Sequence, residues 1–247
     1  MNQRNPAPNP IQPRILRAYS TLLQLHPMWS GSLVLSLGLS PEASALPIAS
    51  NIAGAVSLAI DDDPVHLREI VRSGAVDFVV NSLDEAIRAM KNELRKQAPL
   101  SVALQASPLA ALEEAIDRGL APQLFSSFLP ATPVVLEMAG KLRALGADLI
   151  DFSFGSREPY PGFLDSETIL APKLTSHSWQ LHTYSFETSA ELRDFDAHAL
   201  NLLPSNDLLR RRWLEAAPRI LQRQRPPQRS LWLAPQEADL LRKAVNR

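Results

Sequence analysis

The stretch that most constrains the fold is residues 32–61, SLVLSLGLSPEASALPIASNIAGAVSLAID. An apolar run at 33–37 meets a Gly-Leu-Ser-Pro break, a segment of small residues follows, and a second apolar run at 55–60 ends on Asp61. This pattern predicts a strand, a turn, a helix and a second strand. A unit of about 30 residues with a carboxylate about 20 residues beyond the turn is the plan of a dinucleotide-binding βαβ unit.

The turn after the first predicted strand has a single glycine, Gly38, where a dinucleotide-binding turn uses several. Glycines let the chain bend sharply and let backbone N–H groups approach a pyrophosphate. Ser40 is typical of a helix N-cap and Pro41 of a first helical residue. Glu42 then adds a carboxylate where the helix dipole attracts anions. Two interpretations stay open: a dinucleotide site retained at this turn, or the same fold with its own carboxylate in the anion site.

Composition narrows the class of protein. The 247 residues, 45% of them hydrophobic, are enough to bury a full core, and a formal net charge of -1 gives no overall attraction to nucleic acid or to an anionic membrane. The absence of cysteine excludes disulfides, thiolate metal ligands and a cysteine nucleophile. No stretch approaches the length of a membrane-spanning apolar segment. We therefore expect a cytoplasmic protein whose partners include neither a membrane nor nucleic acid.

The remaining sequence continues the alternation of strands and helices. Residues 1–13 are polar and rich in proline, and we interpret them as a flexible arm, while residues 15–25 have apolar residues at helical spacing. A capping-box pattern at Ser82 and Glu85 begins a further helix. Later strands are predicted at residues 76–80, 100–104, 123–125, 148–152 and 230–233. The pattern predicts an α/β fold, a Rossmann-like, doubly wound, mostly parallel sheet with helices on both faces, as one domain over residues 14–247.

The C-terminal part offers two further groups of polar residues. Seven arginines lie between residues 210 and 229, and on a helix predicted at 207–222 they are typical of a solvated face, with phosphate or nucleic-acid binding as the alternative. His177 and His182 have a spacing that suits neither one helix face nor a common zinc motif, so no metal site is predicted. The strand at 230–233 is expected to return the chain to the sheet.

Several short motifs together resemble the urocanases (urocanate hydratases). Residues 38–61 share with the cofactor-loop segment of that family the pairs Gly38-Leu39 and Ser57-Leu58, with Asp61 where the family has an acid. Pro47, Ala49 and the Ala-Gly-Ala of residues 53–55 are also shared. The likeness continues in LDEA at 83–86, PLSVALQASPLAALEEAIDRGLAPQL at 99–124, PGF at 161–163 and LLPSNDLLRRRWLEAAPRI at 202–220. In order and spacing the chain is similar to the central, Rossmann-like NAD-binding portion of a urocanase.

The resemblance implies a site and a chemistry, since urocanases use tightly bound NAD as an electrophile on urocanate in histidine degradation. Residues 40–44 stand where the family has a glycine-rich loop, residues 126–129 where it has Asp-Gln-Thr-Ser, and residues 154–157 where it has Tyr-Gly-Asn-Asn. The family's active-site cysteine, expected between residues 172 and 179, has no counterpart. Arg157 is interpreted either as a receiver of a carboxylate or phosphate or as a surface arginine. The cofactor-binding candidates are Gly38, Ser40, Asp61, Ser126, Gly155 and Arg157.

Three functions stay open at this point, and none assigns a catalytic residue or a metal to the chain. One is a binding or interaction module that has no hydratase activity by itself and pairs with a second copy or with another protein chain. Another is a protein that binds NAD, another nucleotide or a small anion. The last is a urocanate hydratase-like lyase that needs a partner chain.

Overall fold

The computed structural model describes residues 11–154, 158 and 160–245. The helices are α1 (Ile11–Leu25), α2 (Ala45–Ala53), α3 (Pro64–Ser73), α4 (Leu83–Lys96), α5 (Pro108–Asp117), α6 (Pro133–Ala144), α7 (Ser166–Ser176), α8 (Ser189–Leu202), α9 (Leu208–Ile220) and α10 (Pro235–Val245). The strands are β1 (Leu33–Leu37), β2 (Val56–Asp61), β3 (Phe78–Val80), β4 (Leu100–Gln105), β5 (Leu124–Ser127), β6 (Asp148–Asp151), β7 (Leu164–Asp165), β8 (Gln180–Ser185) and β9 (Gln228–Leu233).

Seven of the strands form one parallel sheet in the order β3-β4-β2-β1-β5-β6-β7. β1 is buried along its whole length and lies between β2 and β5, as the register of Leu35 with Leu58 and with Phe125 shows. The strands β2, β3 and β4 lie on one side of β1, and β5, β6 and β7 lie on the other side. The predicted Rossmann-like, doubly wound α/β fold is therefore confirmed.

Helices cover both faces of this sheet because the strands are apolar on both faces. One apolar cluster joins Val34 of β1 to helices α1, α2 and α9, and the other joins Leu35 to helices α4, α5 and α6. Such strands are expected in a parallel sheet, where crossover helices bury both sides. Among the described residues, no helix is both long enough and apolar enough to cross a membrane.

Local capping accounts for several helix starts. The Ser82 hydroxyl accepts a hydrogen bond from the Glu85 N–H at 3.3 Å, and the Glu85 carboxylate accepts one from the Asn81 N–H at 3.0 Å. The predicted capping residue therefore begins α4. Asp63 does the same for α3, since its carboxylate accepts from the Val65 N–H at 2.7 Å.

The N-terminal helix begins earlier than its apolar spacing predicts. Residues 11–13, which we placed in the arm, form the first turn of α1, and residues 1–10 lie outside the described residues. The Gln12 side chain is 1% exposed, donates to the Gln228 carbonyl at 3.1 Å and accepts from the Ser230 N–H. Buried amide contacts to β9 hold this turn in place, and no local pattern could reveal them.

The final strand does not rejoin the large sheet, so that prediction is wrong. β9 pairs antiparallel with β8, with Leu181 opposite Trp232, in a separate two-stranded sheet. The helices α7 and α8, which lie around it, were not predicted. Pro172 inside α7 and the many charged residues of α8 obscure the helical period of apolar residues.

A buried arginine contradicts part of the predicted solvated face. Arg210 of α9 is 3% exposed, and its guanidinium donates to Asp207 at 2.6 Å and to the two Glu237 oxygens at 2.5 and 2.9 Å. It also donates to the Trp232 carbonyl at 3.1 Å and stacks over the Trp179 ring, 4.4 Å from its centroid. Arg210 therefore joins α9, α10 and β9.

The ion pair of Arg210 with Glu237 predicts an acid-sensitive stability. Burial raises the pKa of the Glu237 carboxyl, but the hydrogen bonds from Arg210 and from the Ala234 N–H, with the Arg210 charge, hold this pKa below its usual 4.5. A lowered folded-state pKa gives stability that is present above the unfolded-state value and lost as the pH falls through the folded-state value. We expect urea unfolding at a series of pH values to show this loss below about pH 4.5.

Glu237→Gln should remove part of that acid dependence. The exposed Glu69→Gln, on α3, is the matched control and should keep the wild-type profile. If the free energy of unfolding falls equally at acid pH in wild type and in Glu237→Gln, the pair contributes nothing to the pH dependence.

Candidate functional site

The candidate site is the edge where β1, β2 and β5 end. In doubly wound sheets, ligands bind beyond the carboxyl ends of the strands, at the point where the strand order reverses. Here that point lies between β1 and β5, with Ser36 in register with Ser126 and Leu37 with Ser127. The candidates Gly38, Asp61 and Ser126 all lie at or next to this edge.

Gly38 makes the turn possible, and the chain that follows β5 covers it. Its φ is +86°, a conformation that L side chains rarely adopt, and its N–H donates to the Ile60 carbonyl at 2.8 Å. A Cβ at Gly38 would lie 3.4 Å from the Cβ of Phe128 and 3.5 Å from Cδ2 of Leu129. The space that the missing side chain of Gly38 leaves is therefore taken by Phe128 and Leu129 of the protein itself.

Asp61 is buried and bonded within its own neighbourhood. It is 5% exposed, its Oδ2 accepts from the Leu39 N–H at 2.6 Å, and its Oδ1 accepts from the Asp63 N–H at 2.8 Å. Nδ1 of His66 lies 3.1 Å from Oδ2. The carboxylate therefore ties the turn after β1 to the start of α3, instead of facing an open ribose position.

Ser40 makes a capping contact, but the regular helix begins later than predicted. Its hydroxyl accepts from the Ala43 N–H at 3.3 Å and its carbonyl from the Ser44 N–H at 3.1 Å, so residues 41–44 form one turn. α2 itself begins at Ala45, not at Pro41. Ser40 and Pro41, which predicted the start of the helix, instead begin a separate capped turn ahead of α2.

Glu42 does not fill the predicted anion position. Its carboxylate is half-exposed and pairs with Arg14 of α1 at 3.1 Å. The carboxylate that reaches the turn amides is that of Asp61, 22 residues beyond Leu39. A carboxylate of the protein does bind at the turn, but it belongs to Asp61. Glu42 is drawn away because α1 lies beside the turn and supplies Arg14 as its cation.

Ser126 lies on the sheet face below α1 and α2, where it is 0% exposed. Its hydroxyl has no hydrogen-bond partner within the described part of the chain. Ser127, on the opposite face, lies 3.3 Å from the Tyr160 hydroxyl and accepts from the Leu129 N–H at 3.3 Å. Gly155 and Arg157, the last two candidates, lie outside the described residues.

A second acid at this edge was missed in the sequence. Asp151 ends β6, is 0% exposed, and accepts from the Ser153 N–H at 2.7 Å and from the Tyr160 N–H at 3.0 Å. Asp151 therefore binds backbone N–H groups of the loop that follows β6, as Asp61 binds backbone N–H groups of the turns near β2. The sequence signal was weak, since only Leu149 and Ile150 precede Asp151 and the strand predicted at 148–152 ran through it.

Within the described residues, most backbone N–H groups of the first turn are already paired inside the chain. A pyrophosphate is held by backbone N–H groups at the start of the helix. Those of residues 38, 39, 43 and 44 already donate to acceptors of the chain, and Phe128 and Leu129 cover Gly38. The carboxylate that would meet a ribose accepts two backbone N–H groups. Over the described residues, no group of three His, Asp or Glu side chains is arranged to hold a metal ion.

Comparison with known families agrees with the resemblance seen in the motifs. A model of the urocanase Rossmann-like domain matches residues 18–133. The match spans the first βαβ unit and continues through β5, so it includes Gly38, Asp61 and Ser126. Resemblance to the central Rossmann-like domain of urocanases is therefore confirmed over this range.

Two solved structures are similar at a low level. A short chain alcohol dehydrogenase from E. coli CFT073, complexed with NADH, is 15% identical, with a TM-score of 0.33, over 66% of this chain and 40% of that chain. The alcohol dehydrogenase TADH from Thermus sp. ATN1 is 17% identical, with a TM-score of 0.34, over 68% and 44%. The chain spans less than half the length of either. The fold assignment rests on the strand order and pairings given above.

Proposed function

We propose that this chain is a urocanase-like Rossmann module that binds no dinucleotide at its first turn, has no hydratase activity by itself, and works as a binding or interaction module. The observation that carries the proposal is the 2.6 Å hydrogen bond from the Leu39 N–H to the buried Asp61 carboxylate. This contact places a negative charge and an acceptor where a phosphate needs donors.

The free-energy cost of opening the turn for a pyrophosphate supports this proposal. A hydrogen bond to a charged group is worth about 1.5–3 kcal/mol, and a buried donor left without an acceptor costs a similar amount. A pyrophosphate would have to displace Asp61 from Leu39 and would then lie close to that carboxylate. Phe128 and Leu129 would also have to move away from Gly38. Arg14, the cation of α1 beside this turn, already pairs with Glu42.

Calorimetric titration tests the cofactor part of the proposal. We expect the full chain to show no heat beyond dilution with NAD, NADH or NADP, because the turn amides and Asp61 are already paired. A dissociation constant tighter than about 1 mM, equivalent to about −4 kcal/mol, would contradict it. Saturation that moves the NMR signals of the 38–44 amides would place the cofactor at the turn.

Urocanate turnover tests the catalytic part. The purified chain should leave the ultraviolet absorbance of urocanate unchanged, with or without added NAD. Loss of that absorbance at a rate that scales with protein concentration would refute the proposal of an inactive module.

The setting and the partner are further parts of this proposal. We place the module in the cytoplasm, in a histidine-degrading context, with a second copy or another protein chain as its partner. An open sheet edge supports an interaction role, since β3 pairs only with β4 among the described strands and its Phe78 is 38% exposed. Light scattering after size exclusion tests the homo-oligomer, and a monomer at all concentrations would leave only a different chain as partner.

A further inference from the structure

A cavity of about 360 Å³ lies between α8, α9 and the start of β9. Protein cavities that bind small molecules have volumes of about 300–1,000 Å³. Its walls combine apolar side chains with charged and amide groups, and none of the residues of the first turn lines it. The charged lining residues are Arg193, Asp196, Arg225 and Arg229.

Arg229 is the buried arginine of this lining, and one of its donor groups is unpaired within the described residues. It is 1% exposed, and its Nε and Nη2 donate to the two oxygens of Asp196, each at 2.7 Å. Its Nη1 has no acceptor within the described part of the chain. A guanidinium stays charged at any ordinary pH, so this buried donor favours a further acceptor, which a bound anion can supply.

The charge of the cavity is positive. Arg193 of α8 and Arg225, which follows α9, are both exposed, and Arg225 Nη1 donates to the carbonyls of Gln222 and Gln224, both at 2.8 Å. These two contacts hold the Arg225 guanidinium at the cavity. Three guanidiniums against the single Asp196 carboxylate leave an excess of two positive charges among the lining residues.

We propose that this cavity binds a small phosphate monoester. A dianionic phosphate matches the excess of two charges, and its oxygens accept from guanidinium groups in the fork geometry that arginine favours. The apolar lining, which includes Leu192 and Leu221, can contact the organic part of the ester. The proposal concerns a site separate from the first turn and does not depend on the absence of NAD there.

The test measures binding to the full chain by calorimetry and by the shift in thermal midpoint. The probes are glycerol 3-phosphate and inorganic phosphate, with succinate and sodium chloride at equal ionic strength as references. We expect the ester to bind and to raise the midpoint more than either reference does. Arg193→Gln and Arg225→Gln should each weaken its binding by about tenfold, the loss of one charge-assisted contact worth about 1.4 kcal/mol.

Arg95→Gln is the matched control, because Arg95 is an exposed arginine on α4 and does not line the cavity. It should leave the affinity unchanged. Both cavity variants alter exposed side chains, so they should fold as the wild type does, whereas a change at buried Arg229 could unfold the chain. Equal stabilisation by succinate, or an ester affinity that both cavity variants retain, would overturn the proposal.

Discussion

Replacing Asp196 by alanine should lower the free energy of unfolding by about 3–5 kcal/mol, because it leaves a buried guanidinium without its counter-charge. Arg229 is 1% exposed and Asp196 is 4% exposed, and two parallel hydrogen bonds of 2.7 Å join them. Arg229 cannot escape the penalty by losing its proton. The effect should exceed that of breaking the Arg210 pair, since side chains of Asp207 and Glu237 keep 12% and 21% exposure and can be hydrated.

Urea unfolding followed by circular dichroism measures this loss. Asp194→Ala removes an exposed carboxylate from the same helix and should change stability little. The double variant Asp196→Leu with Arg229→Met should recover most of the loss, because apolar residues of similar volume replace a buried ion pair at little cost. A loss below about 1 kcal/mol in Asp196→Ala would mean that water reaches Arg229 in the folded protein.

Replacing Asp61 by alanine should cost about 2–4 kcal/mol, because one buried backbone N–H loses its acceptor, at about 1–3 kcal/mol, and one part-buried N–H loses its acceptor at about 1 kcal/mol. The donors are those of Leu39 and Asp63. Leu39 is 1% exposed, so water does not readily replace the carboxylate there. The same change should let the turn after β1 open locally.

Hydrogen exchange of the Leu39 amide separates a local effect from general destabilisation. It should become faster in Asp61→Ala by more than the global loss of stability explains. Asp62→Ala, which removes the exposed neighbouring carboxylate, is the matched control and should leave this exchange unchanged. Wild-type exchange at Leu39 in Asp61→Ala would show that the carboxylate does not hold the turn, and the proposed function would lose its main support.

Much of the architecture follows from local patterns. Apolar runs at 33–37 and 55–60, the capping pair of Ser82 and Glu85, and the alternation of strands with helices were enough to predict the parallel, doubly wound sheet. The location of the candidate edge followed as well, since Gly38 follows the first strand and Asp61 ends the second. The C-terminal part was harder, because Pro172 and a charged helix mask the period in α7 and α8.

Local sequence patterns were sufficient for the central strands, the turn at Gly38 and the acid beyond it, because periodicity and turn residues act over a few neighbouring positions. The packed structure was needed to show that Asp61 bonds to Leu39, that Phe128 covers Gly38, and that β9 pairs with β8. It also decided which arginines are solvated and which, such as Arg229, lie buried against a carboxylate. These contacts join residues far apart in the chain, and their energies depend on which strands and helices become neighbours when the core closes.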